Sequence, residues 1–116
     1  MENVNQIIKE IVDKNSWLNG WYDYEDGDLM AIVNQPEKFT GKPKEHTSLI
    51  QLYDDLQNYD GVFKYKNLLF FNDWQYGTFV YDINNPDTSD YIEHLTINAM
   101  PYEHFAKLIN KLTTPQ

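Results

Sequence analysis

Leu68-Leu69-Phe70-Phe71-Asn72-Asp73-Trp74-Gln75-Tyr76-Gly77-Thr78-Phe79-Val80-Tyr81-Asp82-Ile83 is the stretch on which the fold turns. Residues 68–71 are continuously apolar, and residues 78–83 alternate around Phe79 and Tyr81. Both runs fit strands. Residues 72–77 between them read as a hairpin loop, which makes the two strands antiparallel neighbours. Residues 62–66 alternate as a strand just upstream. Residues 91–97 form another, beyond the polar loop 84–90 with its Pro86. These strands follow one another through short loops rather than through crossover helices, which predicts an antiparallel sheet.

Helical patterns flank this core. Val4, Ile7, Ile8, Ile11 and Val12 have the spacing of an amphipathic helix ending near Lys14 and Asn15. Asn3 is its candidate cap, with Gln6 as capping-box partner. Residues 17–24 are aromatic and half-apolar, 25–28 read as an Asp-Gly turn and 29–33 as the returning strand of a hairpin. Residues 35–45 carry Pro36, Gly41, Pro43, Lys38, Lys42 and Lys44, and read as an exposed, basic loop. Thr47 or Ser48 caps a second helix lined by Leu49, Leu52, Tyr53 and Leu56 and closed by Asp60-Gly61. Pro101 fits the first turn of a final helix whose buried face is Phe105, Leu108, Ile109 and Leu112. The expected architecture is α+β in a single domain, residues 1–116. It has an antiparallel sheet of about five strands, helices on one face and a helix at each end of the chain.

A chain of 116 residues is long enough for one core, and 41% hydrophobic with 16% aromatic residues is too rich for a disordered acidic tail. There is no cysteine, which excludes disulfides, thiolate metal sites and cysteine nucleophiles. The start, MENVNQIIKE, resembles neither a secretory signal nor a transit peptide, and no run approaches a membrane span. A cytoplasmic protein without membrane association is expected.

Charge is the strongest functional signal. The formal net charge is -9, and the chain has no arginine. Residues 15–37 hold five acids and no lysine, and residues 67–106 hold six more acids and no lysine. Such a surface, threaded with Tyr, Trp and Asn, suits a basic protein site and repels nucleic acid.

Chemistry has few footholds. His46, His94 and His104 fall on a loop, a strand and a helix, with no metal-ligand spacing. Glu93 and His94, as strand neighbours, face opposite sides. Ser16, Ser48 and Ser89 lie in no nucleophile elbow, and there is no P-loop or GxGxxG. The loop 82–90, with Asp82, Asp87 and Asp90, has no glycine and holds Pro86 where a calcium loop must turn. No catalytic residue, metal or cofactor is expected, and a carboxylate-pair hydrolase is the remaining enzymatic alternative.

The densest acidic patch is Tyr22, Asp23, Tyr24, Glu25, Asp26 and Asp28, leading into Leu29, Met30 and Ile32. An isolated run of this kind is ordinarily a solvated hairpin tip. Tyrosine between acids, with an apolar run adjoining, favours a partner-binding site instead. Asp54 and Asp55, with Asp60, form a competing acidic contact on the second helix, where no lysine intervenes between Lys44 and Lys64.

The chain resembles small acidic inhibitors that mimic DNA, nearest the staphylococcal-type uracil-DNA glycosylase inhibitors. The resemblance rests on the leading helix, the acid-bearing segment and the tyrosine-containing helix at residues 47–59. It continues through Leu68-Leu69-Phe70-Phe71, the hairpin to Phe79-Val80-Tyr81-Asp82 and the Asp-Tyr strand running to Met100-Pro101. It implies carboxylates placed like phosphates in an enzyme's DNA-binding groove, and an apolar pocket for a leucine of that enzyme. The Glu-Ser pair that those inhibitors carry near the first strand is absent, and Asp23 and Glu25 are the nearest acids. The wider class includes anti-restriction and anti-CRISPR proteins of phages and mobile elements. Residues 69–112 are also similar to the end of SMI1/KNR4-like toxin-immunity domains, which the N-terminal half does not match. Both resemblances imply an inhibitor, monomeric when free, whose partner is a basic DNA-processing enzyme or nuclease.

Overall fold

The computed structural model describes residues 4–14, 44–59, 61–73, 77–85, 87 and 90–113. The elements are α1 (Val4–Lys14), β1 (Lys44–His46), α2 (Leu49–Asn58), β2 (Gly61–Tyr65), β3 (Leu68–Asp73), β4 (Gly77–Asp82), β5 (Glu93–Leu95) and α3 (Tyr102–Thr113). A 3-10 turn, Ile97–Ala99, precedes α3. The expected hairpin within residues 17–33, the Asn3 cap and Asp60 lie outside the described residues.

The five strands stand side by side in chain order, β1 to β5. β2 to β5 pair antiparallel, as the alternating runs predict, while β1 pairs parallel with β2. The sheet is therefore mixed. Lys44–His46 falls where the sequence reads as the end of a basic loop. β4 begins at Gly77 and β3 runs on to Asp73, so the strands reach further into the 72–77 segment than the expected loop allows. At the other edge β5 has three residues, Glu93–Leu95, where seven were expected from the pattern 91–97.

Alternation along β3 and β4 sorts the core into two layers. Leu69 pairs with Tyr81 and Phe71 with Phe79, and these four cluster with Ile8 and Ile11 of α1. Their neighbours Leu68, Phe70 and Val80 point the other way, to Leu52 and Leu56 of α2 and Phe105 and Ile109 of α3. The helices thus divide between the two faces of the sheet, α1 on one and α2 with α3 on the other. A one-sided cover would have left Leu69 or Leu68 in water. Each such side chain, once buried, contributes about 1.5–3 kcal/mol, so a strand apolar on both faces calls for a layer on each.

The cap of α2 falls on Ser48, whose backbone is extended and whose hydroxyl accepts from the Gln51 N–H. The other end is held by the sheet. Asn72 of β3 donates its amide to the carbonyls of Leu56 (2.8 Å) and Tyr59 (2.7 Å). The buried Thr78 hydroxyl donates to Asn72 Oδ1 and fixes the amide's orientation. These bonds satisfy carbonyls that a helix end leaves without partners. On α3, Pro101 precedes the first residue, and its carbonyl accepts from the N–H groups of His104 and Phe105.

Candidate partner-binding surface

The acids of α2 separate on the surface of the helix. Leu52, Asp55 and Leu56 are buried, while Gln51, Asp54, Gln57 and Asn58 are exposed. The 100° turn per residue rotates Asp54 outward and sends Asp55 toward β1. There Asp55 Oδ2 lies 2.7 Å from Lys44 Nζ and 3.1 Å from His46 Nε2. The histidine contact does not have hydrogen-bond alignment, so the lysine is the carboxylate's ionic partner. Asp55 is therefore an anchor between helix and edge strand, and Asp54 is open to solvent.

His46 is buried with its ring stacked against Phe63, centroids 5.9 Å apart. Burial holds its pKa below the ordinary 6.5, and Lys44 pushes the same way, against the opposing pull of Asp55. The imidazole is neutral near pH 7. Lys64 Nζ lies 3.9 Å from Glu45 Oε1 on the adjoining strands and donates to the Lys66 carbonyl at 2.8 Å. Two lysines of the β1–β2 edge are in this way engaged by acids of the chain itself.

Asp82, the last residue of β4, uses its carboxylate internally. Asp82 Oδ1 accepts from Asn67 Nδ2 at 3.0 Å and from the Asn84 N–H at 2.9 Å. Asn85 Oδ1 accepts from the Asp87 N–H at 3.0 Å. The bonds at Asn84 and Asp87 are side-chain turns that shape the start of the loop. Among the described residues no three metal-ligating side chains stand together.

An aromatic group caps the other end of the sheet. His94 of β5 stacks on Phe79 with centroids 4.2 Å apart and planes 3° from parallel, and Tyr91 meets Phe79 edge-on at 5.0 Å. Beneath α1 the Tyr81 hydroxyl is buried, with no hydrogen-bond partner among the described residues. Burial foremost, then Asp90 and Tyr91, raises its pKa well above the phenol's usual value, so it remains a neutral packing group.

Of the residues expected to bind a partner, Tyr22, Asp23, Tyr24, Glu25, Asp26, Asp28, Leu29, Met30 and Ile32 lie outside the described residues. Asp54 and Asp55 are placed as above, side by side in the chain and facing apart. Sequence reasoning passed over Ile50 and Tyr59, which are 53% and 60% exposed. Ile50 was legible in principle, because it falls off the stripe formed by Leu49, Leu52, Tyr53 and Leu56. Among the described residues no helix is long and apolar enough to cross a membrane. Comparison with family models, curated proteins and solved structures returns no match.

Proposed function

We propose that the chain is a non-enzymatic acidic inhibitor, acting as a DNA mimic in the cytoplasm. Its carboxylates stand in for phosphates and block the DNA-binding groove of a nucleic-acid-processing enzyme. A uracil-DNA glycosylase, or a restriction or CRISPR nuclease, is the target class. The observation that carries this reading is the charge, 18 acids against nine lysines with no arginine. Two of those lysines, Lys44 and Lys64, pair with Asp55 and Glu45 within the fold, and the net charge stays at -9. Such a field speeds capture of a cationic partner and repels DNA.

The test is titration of purified uracil-DNA glycosylase, a restriction endonuclease and a CRISPR nuclease with the chain. Inhibition is expected to end at one equivalent, and the association rate to fall steeply as salt shortens the screening length to about 10 Å at 0.1 M. The target is expected back unmodified by mass spectrometry after the complex is denatured. Turnover of many target molecules by one chain, or a covalent change in the target, sinks the inhibitor reading and restores an enzyme.

Toxin immunity is the second reading. It is supported by the order of elements from β3 through Gly77, β4, the acidic loop and β5 to α3, with Phe105 buried against the sheet. In that case the partner is a nuclease toxin. Protection of cells that co-express a neighbouring toxin gene, with no effect on the three enzymes above, decides for it.

A further inference from the structure

We propose that Asp90, Tyr91 and the hydroxyl of Tyr81 form a receptor for one arginine or lysine side chain of a protein partner. This rests on the reading of the chain as an acidic inhibitor and names a point at which its partner is held. Tyr81 is 2% exposed, and its hydroxyl has no hydrogen-bond partner among the described residues. A buried hydroxyl in that condition weakens the fold, and phenylalanine would fill the same space without the penalty. The hydroxyl therefore points to a bond made with a group from outside the chain.

Its surroundings select a cation. The Tyr91 ring stands across the Tyr81 ring, with centroids 6.5 Å apart and planes at 84°, and Tyr91 is 41% exposed. Asp90 is exposed and enters no ion pair among the described residues. Burial foremost, then the charges of Asp90 and Tyr91, hold the Tyr81 phenol in its protonated form, which marks both residues as neighbours of the hydroxyl. Phe79, stacked on His94, backs the Tyr91 ring edge-on at 5.0 Å. A carboxylate, a phenol oxygen and a tyrosine ring together offer a guanidinium or ammonium an ion pair, a hydrogen-bond acceptor and a cation–π contact. Residues 67–106 contain no lysine or arginine, so this stretch supplies no such cation itself. Asp87 and Glu93 lie within three residues of Asp90 and add to the negative field, which repels nucleic acid and a second copy of this chain. The hydroxyl is closed to solvent in the free chain. The Tyr91 ring turns aside to admit the cation, a rotamer change that exposed side chains make within nanoseconds.

The test is a nuclear magnetic resonance titration of the full chain with isotopically labelled tyrosine rings. The probe is a short capped peptide with one central arginine. One control has glutamine in its place, and a second arm uses magnesium chloride. Ring shifts are expected at Tyr81 and Tyr91 with the arginine peptide and to be absent with the glutamine control. Asp90→Asn and Tyr91→Leu are expected to weaken binding about fivefold, and Glu103→Gln on α3 to leave it unchanged. Tyr81→Phe is expected to weaken binding about threefold while the melting temperature holds or rises. A Tyr81→Phe variant that melts lower overturns the proposal, because the hydroxyl then has a bond within the fold. Equal shifts with the glutamine control overturn it, as do shifts with magnesium but none with arginine, the sign of a bare-cation site. Arginine peptide bound here without inhibition of the enzymes titrated above overturns the inhibitor reading alone. Inhibition that survives Asp90→Asn and Tyr91→Leu at full strength overturns the receptor alone.

Discussion

Asp54 and Asp55 are consecutive in α2 and face different ways, one open to solvent and the other within 2.7 Å of Lys44 Nζ. One residue step, about 100° round the helix, thus separates an acid that holds the fold from an acid exposed to solvent.

The two acids are expected to respond differently to loss of charge. Asp55→Asn removes the ionic partner of Lys44 at a largely buried position, and is expected to cost about 1–2 kcal/mol of stability. Asp54→Asn is expected to change stability by no more than about 0.5 kcal/mol. Urea denaturation of both variants reads the difference. Equal effects would mean that Asp55 does not anchor β1.

Acid is expected to weaken the β1–α2 contact through His46. Its folded pKa lies below the ordinary 6.5, so the unfolded chain takes up the proton more readily. The stability from the neutral ring is fully present above pH 6.5 and is lost as pH falls through the lowered folded value. Denaturation midpoints measured from about pH 7 to 5 are expected to fall. His46→Asn is expected to flatten that part of the profile.

Asn72 is expected to be the costliest polar side chain to truncate. Asn72→Ala strips a donor from the Leu56 and Tyr59 carbonyls and an acceptor from the Thr78 hydroxyl. A loss of about 1–3 kcal/mol is expected, with faster amide exchange in the last turn of α2. Unchanged exchange there would show that the helix end is held by its apolar face alone.

Gly77 has φ 102°, and a Cβ on it would lie 2.7 Å from both His94 Nε2 and the Leu95 carbonyl oxygen. Gly77→Ala is expected to lower stability by about 1–3 kcal/mol and to disturb the His94–Phe79 stack. A thermal melt and the His94 ring proton shifts check this. An alanine variant that melts with the parent would show that β5 moves aside at little cost.

Most of the fold was legible because hydrophobic alternation reports it directly. Leu68-Leu69-Phe70-Phe71 gave β3, and the stripes of Ile8 with Ile11 and of Phe105 with Ile109 gave the terminal helices. The same apolar run carried the signal for two covered faces, since a strand with one wet face alternates. β1 was not legible. Lys44-Glu45-His46 has no apolar residue, and only its pairing with β2 makes it a strand. Asp54 and Asp55 look equivalent in sequence because nothing local announces that Lys44 and His46 wait beneath the second of them. Asn72 looked like a loop residue because its function is to bond carbonyls more than a dozen positions upstream.

The chain-order sheet sets a sequence of assembly. β2, β3 and β4 pair with immediate neighbours in the chain, so little loop entropy is lost in bringing them together. β1 pairs with β2 only across the whole of α2, in the parallel sense, and then with three residues. The meander is expected to form first and to act as the template on which β1 and its Lys44–Asp55 latch close late. In the native state the same edge is expected to open first, so β1 amides exchange ahead of those in β3.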